Sequence, residues 1–419
     1  MTTLVIGGGL IGLATAQALQ DRGQSDIVVI EARDGVALET SFANAGIMTP
    51  SMSDPWNGPG VHWQLLASFF NSQSAMKLRL RALPSLVNWG LRFLRHSSPA
   101  RHSRATELNF LLSDYSVRQT RRLRDRLGLR YDCSDVGTLK VFRNADAMRG
   151  PLALALHLAP LGLQVNELSR DETIAAEPAL APIAAQLVGA LRFPDDAAGD
   201  AHQFCRALEH ALRQSGVELR CGVKIKALRV RDNRVRGVIS DQGAIDAERV
   251  VVAAGCWSPQ LLQPVGVSLP IKPAKGYSLT IDLHGVESRP RIPIVDDAMH
   301  AAVTPMGERL RIGGTAEFAG FDARIDSRRI DNLKNLTRAI YPRLAEQIDF
   351  GLARAWTGLR PMSCDGVPFI SATRIDGLYV NAGHGHLGWT MAVGSGELLA
   401  DQMLSRAPAL DPAPFRVQR

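Results

Sequence analysis

The chain has 419 residues, 46% of them hydrophobic and 21% charged, with a formal net charge of +7. That length exceeds what one compact core organises and suits two domains, while no uninterrupted apolar segment reaches the roughly 18 residues of a membrane-crossing helix. The cysteines, Cys133, Cys205, Cys221, Cys256 and Cys364, are odd in number, widely spaced and free of any Cys-x-x-Cys pair, so neither a disulfide framework nor a zinc site is suggested.

Residues 3–31 read as strand, glycine turn, helix and second strand. Leu4-Val5-Ile6 is short, apolar and largely β-branched, as a strand buried on both faces should be, and it runs into Gly7-Gly8-Gly9-Leu10-Ile11-Gly12. This is Gly-x-Gly-x-x-Gly in its proper context. Gly7 allows a tight turn, Gly9 lets backbone approach a pyrophosphate, and Gly12 lets the helix lie close to the strand, so that phosphates meet the positive helix end. An apolar stripe of Ile11, Ala14, Thr15, Ala18 and Leu19 follows, and Gly23 ends the helix. The second strand closes on Glu31, where a carboxylate accepts hydrogen bonds from both ribose hydroxyls and disfavours a 2′-phosphate. A basic leader is missing before the first strand, from which a cytoplasmic location is expected.

Next comes Glu39-Thr40-Ser41-Phe42-Ala43-Asn44-Ala45-Gly46-Ile47, a polar loop placed to wrap the dinucleotide. Between residues 55 and 106 the composition changes: Lys77, Arg79, Arg81, Arg92, Arg95, Arg101 and Arg104 stand there with no acidic residue. Interleaved are Trp63, Leu65, Leu66, Phe69, Phe70, Leu86, Val87, Trp89, Leu91, Phe93 and Leu94, a pattern of basic amphipathic helices. A helix is expected over 107–127 and a strand over 137–142. Further strands at 187–193, 277–283, 300–304 and 310–313 suggest a second, antiparallel-rich sheet. Between them, a helix at 202–215 and strands at 217–221, 225–230 and 249–255 return to the nucleotide domain. The tail repeats that logic with a strand at 378–382, a glycine loop at 383–388 and a helix at 390–403. A helix start after a glycine loop suits a flavin, whose reduced ring carries negative charge.

The motifs Gly137-Thr138-Leu139, Lys275-Gly276-Tyr277-Ser278, Trp356-Thr357-Gly358-Leu359-Arg360-Pro361-Met362 and Gly383-His384-Gly385-His386-Leu387-Gly388-Trp389-Thr390-Met391, with the 39–46 loop, carry a family resemblance over nearly the whole chain. The sequence resembles the FAD-dependent D-amino-acid oxidase superfamily, and within it the bacterial D-amino-acid dehydrogenases. The resemblance implies an α/β fold with a discontinuous Rossmann-like FAD-binding domain (1–55, 195–268 and 355–419) and a mixed-sheet α+β substrate domain (56–194 and 269–354). It implies cofactor contacts from Ile6, Gly7, Gly9, Leu10, Ile11 and Gly12; from Glu31 and Ala32; and from Thr40, Ser41, Asn44, Gly46 and Ile47. Further contacts are expected from Val223, Ala254, Gly255 and Trp257, and from Gly383, Gly385, Leu387, Gly388, Trp389 and Thr390. Covalent FAD attachment through Cys364 is not expected.

The chemistry such a site needs is modest. A substrate with its carboxylate clamped and its amine neutral passes a hydride from Cα to the flavin, and the resulting imine hydrolyses to a 2-oxo acid and ammonia. Arg360 is the expected carboxylate clamp, Tyr277 its hydrogen-bonding partner, and His384 or His386 orients the flavin or serves as acid or base. The reading is oxidative deamination of free D-amino acids, or of cyclic imino acids such as proline. Electrons would pass to a quinone or other respiratory-chain acceptor, with the basic stretch on the inner face of the membrane. The alternatives are a soluble glycine- or sarcosine-oxidase-like enzyme, a subunit lending its FAD to a partner, and an FAD-dependent RNA-modifying enzyme. Against the last, the 55–106 stretch lacks a recognisable RNA-binding module, and no nucleic-acid partner is expected.

Overall fold

The structure, a computed structural model, describes residues 1–63, 76–299 and 301–419, with backbone alone at 76 and 80. Of the expectations above, those on Leu65, Leu66, Phe69, Phe70 and His300 lie outside the described residues. Thr3–Ile6 sits inside a six-stranded sheet ordered Phe369–Ala372, Leu378–Ala382, Arg249–Val252, Thr3–Ile6, Ile27–Ile30 and Glu218–Arg220. Every neighbouring pair is parallel except the Phe369–Ala372 hairpin edge. The alternation of the strands explains the layers on either side. Val5, Val29 and Val251 face a core shared with the helices Leu10–Asp21, Ala201–Gln214 and Ala392–Met403. Leu4, Ile6, Val28 and Ile30 face the opposite way, against the three-stranded meander Ile225–Arg231, Arg234–Ser240 and Gly243–Asp246. With both faces covered, the continuous Val/Ile run is what such a strand requires. The meander's first turn holds Asp232 and Asn233 at φ of 51° and 55°, the left-handed pair of a tight hairpin.

Helix Leu10–Asp21 crosses Ala392–Met403 closely enough that a Cβ on Gly396 would lie 2.7 Å from the Ala14 carbonyl oxygen. At the end of the crossing, Arg22 makes a two-pronged ion pair with Asp401. The long helix Pro99–Leu127 packs along Ala392–Met403, where the Ser116 hydroxyl accepts the Gly394 amide at 3.0 Å. It begins earlier than the expected 107 because Pro99 stands at its first position, where a missing N–H costs nothing.

Among the described residues the second sheet has nine strands. In order these are Arg354–Ser363, Ile271–Asp282, Arg309–Phe318, Ala301–Met306, Ile294–Asp296, Thr138–Phe142, Gly189–Phe193 and Asn166–Ser169, with Met76–Leu78 added beside the far end of Arg309–Phe318. Pairing is antiparallel except between Ile294–Asp296 and Thr138–Phe142 and at Met76–Leu78. Helix Ser327–Ile340 covers one face through Ile330, Leu333, Leu336 and Ile340. The other face turns toward the glycine loop. One boundary differs from the sequence expectation: Arg354–Ser363 pairs along Ile271–Asp282 from Thr280 to Ile271, so the segment expected to re-enter the nucleotide domain at 355 first completes the larger sheet. Its residues carry no helix-or-strand signal that separates one sheet from the other; only the pairing does.

Candidate active site

A cavity of ≈ 1360 Å³ runs between the two sheets from Glu31 to Arg360 and Trp56. It is larger than an ordinary single-ligand cleft and has room for a dinucleotide together with a small substrate. At one end is the glycine turn. Gly7 has a φ of +117°, and a Cβ there would meet the Ala253 carbonyl, while a Cβ on Gly12 would overlap the Gly7 oxygen. The turn is therefore open to glycine alone. The helix starting at Leu10 has no side-chain cap from Gly9; the Leu10 amide donates to Ser41 Oγ at 3.1 Å, and the helix's positive end opens on the cavity. The Glu31 carboxylate is held in the wall by the amides of Gly8 (2.7 Å) and Arg33 (2.9 Å).

The 39–47 loop is laced to the larger sheet by hydroxyls. Ser278 Oγ donates to the Ala43 carbonyl (2.6 Å), Thr304 Oγ1 to Ala45 (2.7 Å) and Thr40 Oγ1 to Leu359 (2.8 Å). Arg311, buried and pushed down to about 10 by desolvation, donates to the Asn44 carbonyl at 2.9 Å. Of the expected cofactor residues, Ile6, Gly7, Gly9, Leu10, Ile11, Glu31, Ala32, Thr40, Ser41, Asn44, Ile47, Val223, Ala254, Gly255, Trp257, Gly383, Gly385, Gly388 and Trp389 line the cavity. Four stand behind the wall. Gly12 packs under the Gly7 carbonyl; Gly46 seats the loop against Met306 and Thr304; Leu387 is in the core; and the Thr390 hydroxyl accepts the Thr49 amide at 3.1 Å. Cys364 is buried away from the cavity with its thiol pushed up to about 11, and all five cysteines are free.

At the far end is Arg360. Its guanidinium lies over Gly276, where any Cβ would collide with it, and donates from Nη1 to the Thr315 carbonyl at 3.1 Å. The carbonyl is presented by a bulge. Lys275 pairs with Glu317 but Tyr277 with Gly314, and the extra residue Thr315 takes a left-handed φ of 58°. Among the described residues no carboxylate pairs with Arg360, and desolvation alone pushes it down to about 10. The guanidinium stands 5.6 Å over the Trp56 ring, whose plane stacks at 5.4 Å and 17° on His386.

Two expected site residues take different positions. Tyr277 is among the residues lining the cavity with Gly276 and Ser278, yet its ring is packed into the core of the larger sheet. Its hydroxyl donates to buried Glu317 at 2.8 Å, beside Lys275 and Arg79, and its pKa is raised by burial. A phenol so engaged is unavailable to a substrate carboxylate, and sequence could not tell the strand's two faces apart. His384 reaches the cavity wall, but both ring nitrogens are buried without a partner and desolvation pushes it down to about 3, so it stays neutral. His386 has its Nε2 3.1 Å from the Met52 carbonyl and its other nitrogen unsealed. Trp56, Asp54 and Thr315 also line this end. The sequence signal for Trp56 is its place in Pro55-Trp56-Asn57-Gly58-Pro59-Gly60, a turn-rich loop at the onset of the acid-free stretch.

A family model described as FAD dependent oxidoreductase matches residues 2–402. The chain belongs to the FAD-dependent oxidoreductase family. FAD is accordingly its cofactor, and the glycine turn, the uncapped helix start and the length of the cavity fit that group. A D-amino acid dehydrogenase of Granulibacter bethesdensis is 37% identical over 100% of this chain and 99% of that protein. Another, of Methylobacterium nodulans, is 38% identical over 98% of this chain and 97% of that one. Among solved structures, glycine oxidase from Geobacillus kaustophilus (24% identity, TM-score 0.76) covers 100% of this chain and 98% of its own. L-proline dehydrogenase from P. horikoshii (18% identity, TM-score 0.78) covers 100% and 97%. Both share the fold.

The 55–106 stretch divides in this flavoprotein. Arg79 joins Glu317 and lies 3.1 Å from Asp326, Arg81 lies 3.2 Å from Asp322, and Leu86, Trp89 and Phe93 pack inward. These residues hold helix Leu83–Arg95 to the sheet rather than to an outside partner. Its opposite face leaves Val87, Leu91 and Leu94 exposed at helical spacing, with Trp63 exposed nearby in sequence. No helix among the described residues is long and apolar enough to cross a membrane.

Proposed function

We propose that this flavoenzyme is a D-amino-acid dehydrogenase that oxidises free D-amino acids or cyclic imino acids to 2-oxo acids. The observation that carries the reading is Arg360: a desolvated guanidinium in the cavity wall, seated over Gly276, with one donor on a backbone carbonyl and no acid partner among the described residues. Such a fork meets a carboxylate with two parallel hydrogen bonds, and its own burial makes that pairing strong. The D-configuration rests on relatives named D-amino acid dehydrogenase. FAD, when bound, supplies the acceptor for a hydride from Cα.

In this reading the backbone around Gly7, Gly9 and Leu10 and the helix start hold the pyrophosphate, and Glu31 holds the adenosine ribose. Val223, Gly255 and Trp257 would flank the cofactor, and the loop from Gly383 to Thr390 would cover the isoalloxazine. Tyr277 serves as a strut through Glu317, and His384 as a neutral packing group. Anaerobic titration of the purified protein with D- and L-amino acids tests the proposal. Bleaching of the flavin band by D-enantiomers is expected; bleaching by the L-series alone, or by neither, overturns it.

The electron acceptor proposed is a quinone of the respiratory chain. The exposed Val87, Leu91 and Leu94 with Arg92 and Arg95, neither of which has an acid partner among the described residues, form an apolar and cationic helix face suited to an anionic lipid surface on the cytoplasmic side.

A further inference from the structure

Oxidation at Cα requires an amine lone pair, yet a free amino acid arrives as an ammonium at neutral pH. A cavity group that takes that proton makes the bound amine reactive at neutral pH. The Tyr277 hydroxyl is tied to Glu317 and His384 has no open nitrogen. His386 is different. A carbonyl oxygen only accepts, so the 3.1 Å contact of Nε2 with Met52 O fixes the hydrogen on Nε2 and leaves the lone pair of the neutral ring on Nδ1. That nitrogen has no partner among the described residues and is not sealed from the cavity, in contrast to both nitrogens of His384. The ring plane is set by Trp56, which at the same time lies under the Arg360 guanidinium, so the proposed carboxylate clamp and the imidazole share one aromatic spacer.

We propose that His386 is the catalytic base that receives the proton of the substrate ammonium, with Trp56 and Met52 as its positioning partners. This rests on the reading of Arg360 as the carboxylate clamp. In the step, one N–H bond of the ammonium breaks and an Nδ1–H bond forms; no electrons change hands, and the amine is left with the lone pair that hydride loss from Cα requires, for which FAD would supply the acceptor. The charged groups facing the imidazole among the described residues are Asp54, which favours its cation, and Arg360, which opposes it; burial adds to the opposition and holds the free ring neutral. Substrate binding reverses part of that balance. A carboxylate on Arg360 cancels the opposing charge while Asp54 remains, so the ring becomes a better proton acceptor when an ammonium sits beside it.

The test uses the FAD-loaded enzyme and two probes: 2-aminoisobutyrate, which has an ammonium but no Cα hydrogen to lose, and propionate, which has only the carboxylate. With 15N-histidine labelling, the His386 Nδ1 resonance should move to the protonated position on saturation with 2-aminoisobutyrate and stay unprotonated with propionate. In His386→Gln, whose amide still reaches Met52, propionate affinity should be unchanged. kcat/KM should fall by a factor of roughly 10² at pH 7 and recover with rising pH, its acid limb having moved up to the amine's own pKa. Unchanged Nδ1 protonation in the wild type, or a His386→Gln profile that keeps its acid limb, overturns the proposal. If D-amino acids do not bleach the flavin and neither probe binds, the clamp reading fails first and takes this inference with it; bleaching with an unmoved limb overturns the base alone.

Discussion

Arg360 has the least ordinary environment of any cation in the cavity. A guanidinium taken out of water without a carboxylate is a cost the fold bears, and its relief on binding favours a ligand that brings the missing anion. Arg360→Ala is expected to lower kcat/KM by roughly two to three powers of ten with FAD content intact, because it removes a charge-assisted pair in a desolvated site. Steady-state kinetics alongside the flavin-to-protein absorbance ratio checks both halves. At the opposite end, Glu31, proposed to hold the adenosine ribose, already accepts two backbone amides. Glu31→Ala should release most of the FAD on gel filtration, and stoichiometric flavin in the eluted variant would remove Glu31 from the cofactor site.

At the scale of elements, a buried carboxylate joins pieces distant in sequence. Asp196 accepts Ser51 Oγ and Thr138 Oγ1, each at 2.6 Å, and the Ser51 amide at 3.2 Å, and thus pins the turn Pro50–Met52 to the strand Thr138–Phe142. Among the described residues its carboxylate forms no ion pair, and desolvation raises it from 3.8 to about 7. The sign follows from proton counts: between those values the folded chain holds a proton that the unfolded chain has lost. Raising the pH through that window therefore destabilises the fold, by on the order of a few kcal/mol for a group this buried. Asp196→Asn keeps the hydrogen bonds without the titration. Its thermal midpoint should exceed that of the wild type at pH 8 and match it near pH 4; equal midpoints at both pH values would show that Asp196 does not titrate in this window. The same turn carries Met52, whose carbonyl fixes the His386 tautomer.

For the whole molecule, the question is where a net charge of +7 acts. The seven basic residues of 55–106 equal it in number, but Arg79 and Arg81 are engaged by acids of the substrate-side sheet region. On the proposed lipid reading, the remaining attraction would belong to the outer face of helix Leu83–Arg95 and its neighbours, at about 1 kcal/mol for each cation near anionic lipid. The protein should cosediment with phosphatidylserine vesicles at low salt and be released as ionic strength rises, and Leu91→Asp should weaken binding without altering turnover of a soluble quinone. Binding to neutral and anionic vesicles alike, or to neither, would assign that face to something other than lipid.

The glycine turn, the first two strands and Glu31 were legible from sequence because each is a local rule. A tight turn needs a residue without Cβ, a strand buried on both faces needs an unbroken apolar run, and Glu31 follows directly from where the second strand ends. The family followed from motifs spread along the whole chain, and Arg360 from one of them. What the sequence left open depends on pairing between distant segments. The strand Arg354–Ser363 belongs to the larger sheet because Ile271–Asp282 offers it a hydrogen-bonded edge. The Tyr277 hydroxyl is engaged by Glu317 because a strand's two faces are equivalent until a partner occupies one of them. Between two histidines two residues apart, only packing distinguished the one whose nitrogens are sealed from the one whose lone pair stays open. That difference was decided by the Met52 carbonyl and the Trp56 ring, more than 300 residues away in the chain, which tertiary structure alone brings to His386.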